Sequence, residues 1–412
     1  MNKTIDGLME AQVALSQRPV AEILSVLARV TDRWLDRDDP IRRTAEERIA
    51  ARTGLAPAML RRGLDEIIQR LRGIPALLDQ DLGSRDALDR FVRRAPGMLS
   101  RAWGPGLLVC IFAGNVPGIP AFDMALALAL KSACLARPAR EEPEFATLFA
   151  QSVAEVDPAM GRCLAVSRWD YAESFPVALA GAVLAYGSDE SLMEIRSRVP
   201  AGVNFRGHGH KLSFAVVGRE AATPHTAHRL ALDVAMYDQQ GCVSPHVAFV
   251  ERGGELAPAD FARVCGEALD ALETEMPRAR LALGEAMAMR SVCDEAEFTA
   301  DAFFHSKGTL AWAVVHRETP AFLPSPLNRL LRTYAVEDLG AVPPAVAPYA
   351  SFLQTVAFAG SDDRREALGE ILGNLGATRI CPIGQVQDLS PLLRHDGRPT
   401  AGDLVRWTDI EG

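Results

Sequence analysis

Apolar positions recur at two different spacings along the chain. In "PVAEILSVLARVTDRWLDR", Ile23, Leu24, Leu27, Val30 and Leu35 stand at near-helical intervals with charges between them. "APAMLRRGLDEIIQRLRG" repeats that pattern through Met59, Leu60, Leu64, Ile67, Ile68 and Leu71. Residues 1–100 therefore predict a helical region, polar outside and apolar within. From Gly104 the pattern changes. Leu107 to Phe112 is an unbroken apolar run of strand length, as expected where both faces are covered. A Gly/Pro-rich turn, a helix from Ala121 to Lys131 and a second strand from Ala133 to Ala136 follow. "VALAGAVLAYGSDESLMEIRSRV" repeats the theme as strand, Gly187-Ser188 turn and helix. Near Lys211 another unit begins, with "KLSFAVVG" strand-like, "TAHRLALDVAMYD" helical and "PHVAFVE" strand-like. Strands alternating with helices predict mainly parallel, three-layer α/β domains. The boundaries are 101–206 for the first, 207–385 for the second and 386–412 for a tail carrying one strand-like piece, "LVRWTDI".

Composition narrows the classes of function. A chain of 412 residues, 48% hydrophobic and 24% charged, has room for two domains and a large core. A net charge of -9 argues against non-specific nucleic-acid binding, which needs a basic footprint, so an anionic ligand requires a local patch. The seven cysteines are scattered and show no CxxC spacing, which suits free thiols in a reducing cytoplasm and gives no zinc signature. The start of the chain shows no signal-peptide pattern. The run "AFDMALALALKSACLA" is interrupted by Asp123 and Lys131, and reads as a buried helix, not a membrane span. A cytoplasmic protein is expected.

One cysteine stands apart. "DQQGCVSPHVAFV" places Cys242 in a loop between a helix and a strand, where chemistry is commonly presented. Cysteine is also among the most often buried residue types, so a small core residue is the competing reading. Cys110, Cys134 and Cys381 lie in apolar strand-like runs and read as structural.

Four landmarks occur in order: "AGNVPG" after a strand, "LARPARE" after the next, "YGSDESL" after another, and "GHGHKLSFAVV" before "DQQGCVSP". The series resembles the aldehyde dehydrogenase superfamily. More closely, from Gly104 through the "HDG" and "LVRW" ending, it is similar to the LuxC acyl-CoA reductases of the bacterial luminescence fatty-acid reductase system. The resemblance implies an aldehyde-dehydrogenase-like fold, with residues 101–206 binding NADPH and 207–385 carrying the nucleophile. The tail 386–412 is expected to pack on the first domain or on a neighbouring subunit.

The resemblance also assigns roles. Cys242 would take an acyl group as a thioester, chemistry that suits a thiolate. Asn115 would donate its amide to the oxyanion, against the alternative of merely supporting a turn. Arg137 occupies the place of a basic residue that contacts the adenosine ribose. With Arg140 it leans toward NADPH over NADH, against two solvated arginines. Gly187 and Ser188 match a turn whose helix end faces the pyrophosphate, with Gly209 also assigned to the cofactor. Glu337 falls near the glutamate that holds the nicotinamide ribose, although Leu-Gly-Ala replaces the usual Phe-Gly-Pro; a solvated turn carboxylate competes. Gln354 and Thr355 match a LuxC-like stretch whose role does not follow from the residues.

The informative departure is "FRGHGHKLS". Hydrolytic aldehyde dehydrogenases carry a water-activating glutamate here. Alignment on Lys211 puts Gly207 in its place, and no carboxylate stands between Val203 and Ser213. His208 and His210 are candidate proton carriers near neutral pH, or simple hydrogen-bonders. The expectation is NADPH-dependent reduction of an acyl thioester, on coenzyme A or a carrier protein, to an aldehyde through acyl-Cys242, without a metal. Aldehyde oxidation, acyl-phosphate reduction, non-redox acyl transfer and a catalytically silent subunit are the rivals. An acyl-transferring partner and a homo-oligomer are expected by analogy.

Overall fold

The computed structural model describes residues 1–169 and 175–412. Backbone contacts divide the chain into two units. The first comprises Met1–Thr53, Arg61–His210 and Leu389–Gly412, and the second Gly54–Leu60 and Lys211–Asp388.

In the first unit, helix Val20–Leu35 buries Val20, Ile23, Val26, Leu27, Val30 and Trp34 on one face. Trp34 donates its indole N–H to Ser152 Oγ at 2.8 Å. A short hairpin, β1 (Val92–Ala95) and β2 (Met98–Trp103), precedes the sheet, and the C-terminal strand Arg406–Glu411 pairs antiparallel with β2. The main sheet contains β3 (Leu107–Ile111), β4 (Ala133–Arg137), β5 (Leu164–Val166), β6 (Ala182–Tyr186) and β7 (Asn204–His208). All its pairings are parallel, in the order β5-β4-β3-β6-β7. Every residue of β3 is buried, as its continuous apolar run requires. Helix Ile119–Ala129 is buried from Pro120 to Ala129. It ends before Lys131, whose backbone turns left-handed (φ 58°) while its ammonium bonds to Asp89 at 2.5 Å.

The second unit holds β8 (Leu212–Val217), β9 (Pro245–Glu251), β10 (Ala302–His305), β11 (Ala313–Arg317), β12 (Leu330–Val336), β13 (Leu353–Ala359) and β14 (Arg379–Pro382). Their order is β10-β11-β12-β9-β8-β13-β14; only β10 runs antiparallel to its neighbour. Setting aside the inserted β10–β11 hairpin, both sheets share one topology, third-second-first-fourth-fifth. In such sheets the strand order reverses beside the first strand, and ligands usually bind outside the carboxyl ends there. Phe214, Val216, Phe249, Tyr334, Val356 and Phe358 form the apolar core on one face.

Helix Pro224–Ala235 stops three residues short of the expected Asp238. Tyr237, Asp238 and Gln239 instead have φ of 51°, 51° and 66°. Helix periodicity runs through this segment, and tertiary bonds described below override it. Among the described residues, no helix is long and apolar enough to cross a membrane.

Candidate active site

Cys242 is the one exposed cysteine; the other six are buried. Burial pushes the thiols of Cys163 and Cys381 up to about 11, and that of Cys265 further. Those sulfurs stay protonated and unreactive at neutral pH. The competing reading of Cys242 as a packed core residue therefore does not hold.

The sequence sets Cys242 just ahead of β9, at the amino end of the second sheet. Ser213 at the same end of β8 donates its hydroxyl to the Cys242 carbonyl (2.8 Å) and accepts the Thr355 N–H (3.2 Å). Pairing shifts register at Ser213/Phe214 and between Leu353 and Val356, so Gln354 and Thr355 belong to an irregularity that brings three strand ends together. Gln387 Nε2 reaches Ser244 Oγ at 3.1 Å from the segment after β14. That segment is anchored by buried Asp233, which accepts the N–H groups of Gly384 and Val386.

Glu337 does not join Cys242. It follows β12 at the carboxyl end of the sheet, its side chain is 82% exposed, and it pairs with Arg252 at 2.8 Å. Strand β9 separates that end from Cys242 by roughly 20 Å at a strand's rise per residue. A ribose adjoining a hydride-donating ring must lie within a few ångströms of the acceptor carbon, so Glu337 is the solvated turn carboxylate. The sequence signal, a glutamate three residues before a glycine, was a register coincidence. The part of this strand's connection that faces the Cys242 loop is its amino end, residues 325–330. There Ser325 N–H donates to His246 Nδ1 at 3.3 Å, a buried histidine four residues past Cys242 that the sequence reading missed.

In the first unit, the assigned residues gather at the carboxyl ends of the strands. Asn115 is exposed on the turn after β3. Gly118 closes that turn with φ 99°, a conformation that favours glycine, and a Cβ there would press at 3.1 Å on Leu64 and 3.2 Å on Ile67. Arg137 ends β4 and donates Nε–H to the Trp169 carbonyl at 3.1 Å. Arg140 is exposed. Gly187 and Ser188 follow β6, and Ser188 Oγ caps helix Asp189–Arg198 by accepting the Ser191 N–H. Asp189 and Glu190 stand in that helix's first turn, so an anion there would share the helix end with two carboxylates.

The strand end Gly207–His210 has carboxylate neighbours that its own stretch of sequence lacks. Asp189 Oδ1 accepts the His210 N–H at 3.2 Å and would lie 2.4 Å from a Cβ on Gly209, which explains the glycine. His208 Nδ1 bonds Asp396 Oδ2 at 2.6 Å. The rings of Phe112, Tyr186, His208 and His395 form a stack across the ends of β3, β6 and β7, with His208 and His395 only 3.9 Å apart. Burial, followed by the neighbouring His208, lowers His395 to about 3, so its ring is neutral. Burial likewise raises Asp123, bonded to the Tyr186 hydroxyl at 2.9 Å, to about 6. His208, His395 and Asp396 could be taken for metal ligands. Their rings are nearly parallel (11°), so the in-plane lone pairs run side by side instead of converging on one ion.

The tail explains why. Asn204, Arg206 and His208, alternate residues on one face of β7, bond respectively to the Asp403 carbonyl, to Asp403 and the Pro399 carbonyl, and to Asp396. No local pattern could disclose these pairings.

The residues of the first unit fit a dinucleotide. A parallel sheet reverses strand order beside β3, and the uncapped end of helix Ile119–Ala129 and the Gly187-Ser188 turn follow the two strands that flank the reversal.

Comparison with known proteins yields three findings. A family model described as Acyl-CoA reductase (LuxC) matches residues 15–407. The long-chain acyl-protein thioester reductase of Photorhabdus luminescens is 24% identical over 402 residues, 94% of this chain and 82% of that protein. The one of Aliivibrio fischeri is 26% identical over 336 residues, covering 79% and 69%. Among solved structures, the NADP-dependent glyceraldehyde-3-phosphate dehydrogenase of Bacillus halodurans C-125 complexed with NADP aligns with a TM-score of 0.76, over 100% of this chain and 90% of that one at 16% identity. The NAD-dependent benzaldehyde dehydrogenase of Corynebacterium glutamicum aligns with a TM-score of 0.75, over 99% and 89% at 15% identity.

Proposed function

The chain belongs to the acyl-CoA reductase (LuxC) family and has the aldehyde dehydrogenase fold, and from that premise we propose that it reduces an acyl thioester to an aldehyde through an acyl-Cys242 intermediate, with NADPH as reductant. The observation that carries the reading is the exposure of Cys242 alone among seven thiols, on a loop braced by three strand ends. Its thiolate attacks the thioester carbonyl, the new C–S bond forms, and the first thiol leaves with a proton. When bound, reduced nicotinamide supplies a hydride. With one further proton, the acyl-Cys242 carbon becomes the aldehyde and the Cys242 thiol is restored, so atoms and electrons balance.

The turns after β3 and β6 hold the dinucleotide, and Arg137, at the end of β4, faces its adenosine end. A guanidinium there suits a 2′-phosphate, which is the ground for NADPH. Gly207 supports reduction over hydrolytic oxidation. A glutamate at that place would need Phe205 and Leu192 to move, since a Cβ would stand 3.1 to 3.3 Å from their side chains. The relatives named above act on acyl-protein thioesters, which makes a protein-borne long acyl chain the first substrate to try, with acyl-CoA beside it.

The test is intact-protein mass spectrometry after incubation with acyl-CoAs and an acylated carrier protein, with and without NADPH. One acyl adduct per chain should form on Cys242 and disappear, with aldehyde release, when NADPH is added. An adduct that persists through NADPH addition points to non-redox acyl transfer, and turnover by Cys242→Ala removes the mechanism.

A further inference from the structure

Six non-glycine residues of the second unit occupy left-handed backbone conformations in two runs of three. Tyr237, Asp238 and Gln239 form one run; Leu327, Asn328 and Arg329, with φ of 68°, 59° and 65°, form the other. For L-residues each such position is unfavourable, and consecutive ones persist only where the surroundings over-determine them. No glycine relieves either run.

The surroundings here are a single interlocked set of bonds. Arg329, fully buried, donates Nε–H and Nη2–H to Asp238 Oδ1 at 2.9 and 2.8 Å, Nη1–H to Glu273 at 2.9 Å, and Nη2–H to the Met276 carbonyl at 2.7 Å. The other Asp238 oxygen accepts the Ala279 N–H. Backbone joins backbone through Asn328 N–H to the Asp238 carbonyl. Gln239 bonds Leu330 in both directions, N–H to Oε1 and Nε2 to carbonyl, and reaches the Pro245 carbonyl. Gln240 Nε2 closes the rim on Asn328 Oδ1 at 3.0 Å. Cys242 follows this run by three residues, with Pro245 fixed on its other side by the same Gln239.

We propose that Asp238 and Arg329 are positioning residues for Cys242: by clamping two facing left-handed turns, they fix the loop from which the thiol is presented. The proposal rests on Cys242 being the nucleophile. Lysine cannot replace Arg329, because one ammonium cannot bind Asp238, Glu273 and a carbonyl in a planar fork.

The experiment compares wild type, Arg329→Lys, Asp238→Asn and Asn328→Gly. The last removes the Asn328 side-chain bonds to Gln240 and to the Pro326 carbonyl, keeps the Asp238–Arg329 pair, and leaves a backbone that glycine adopts freely. Three quantities are read: the rate of Cys242 acylation by acyl thioester, the pH profile of Cys242 alkylation by iodoacetamide, and NADPH binding by fluorescence. Circular dichroism and thermal melting certify the fold. Acylation should slow on the order of ten- to a hundredfold in the two clamp variants. It should slow by a smaller factor in Asn328→Gly, and the pH profile of Cys242 alkylation should differ from wild type in the clamp variants. NADPH affinity should stay at the wild-type value. Folded variants that acylate at the wild-type rate with the wild-type pH profile overturn the proposal. Should the clamp variants fail to fold, an Asn328→Gly protein indistinguishable from wild type overturns it equally. If wild-type Cys242 takes no acyl group, the functional reading fails instead, and the alkylation profiles still decide whether the clamp sets the thiol.

Discussion

The two sheets share a topology and carry their candidate site residues at opposite ends. In the first unit, Asn115, Gly187, Ser188, His208 and the ring stack lie at the carboxyl ends of the strands, beside the reversal of strand order. In the second, the corresponding end is filled. Glu251, fully buried at the close of β9, takes Arg219 at 2.7 Å and Arg364 at 2.8 Å, and Arg364 also holds Glu220. Cys242 stands at the amino end instead. Topology therefore marks where a ligand usually goes but does not oblige a sheet to use that place. Ion pairs gathered on one buried glutamate can occupy it, while the candidate nucleophile stands on a braced loop at the other end.

That contrast can be broken most decisively at the thiol. Cys242→Ala should lower acyl reduction by a factor on the order of a thousand or more. Its melting temperature should stay within about two degrees of wild type, because the side chain is exposed. At the far end the reverse pattern is expected. Glu251→Gln should cost about 2 kcal/mol of stability while acylation of Cys242 stays within about twofold, as calorimetry and mass spectrometry would show. Burial alone would raise the Glu251 carboxyl, but bonds from Arg219 and Arg364 outweigh it and hold the group at about 2. Its contribution is thus present above the ordinary value of 4.5 and is lost as pH falls toward 2. In the Glu251→Gln protein that acid limb should be shallower.

Two smaller effects sharpen the account of the first unit. Arg137→Leu should weaken NADPH about tenfold relative to NADH, measured as the ratio of their dissociation constants; an unchanged ratio assigns Arg137 to holding the Trp169 carbonyl. His395 has a folded value below its ordinary 6.5. The stability it allows is therefore complete above about pH 6.5 and declines as pH falls toward 3. His395→Phe keeps a ring in the stack and cannot charge, so its melting temperature should fall less between pH 6.5 and 4 than that of wild type.

Much of this was legible in the residues. The apolar run from Leu107 to Phe112, the buried helix after it and the strand "PHVAFVE" are local patterns, and the structure contains each. The loop setting of Cys242 was legible for the same reason. What escaped was non-local. Asp396 reaches His208 across 188 positions, and Arg329 reaches Asp238 across 91. The left-handed turns were hidden because Tyr-Asp-Gln and Leu-Asn-Arg contain no glycine to announce them. Glu337 misled because a short spacing fixes neither strand register nor which end of a sheet a residue occupies.

The first unit takes its last strand, Arg406–Glu411, from beyond residue 388, where the second unit closes. During synthesis the nascent chain therefore completes the second unit while β2 is paired with β1 alone and β7 still lacks its bonds to Asp396, Pro399 and Asp403. A translational stop shortly after residue 388 would release a molecule with every strand of the second sheet in place and a first unit missing its C-terminal strand.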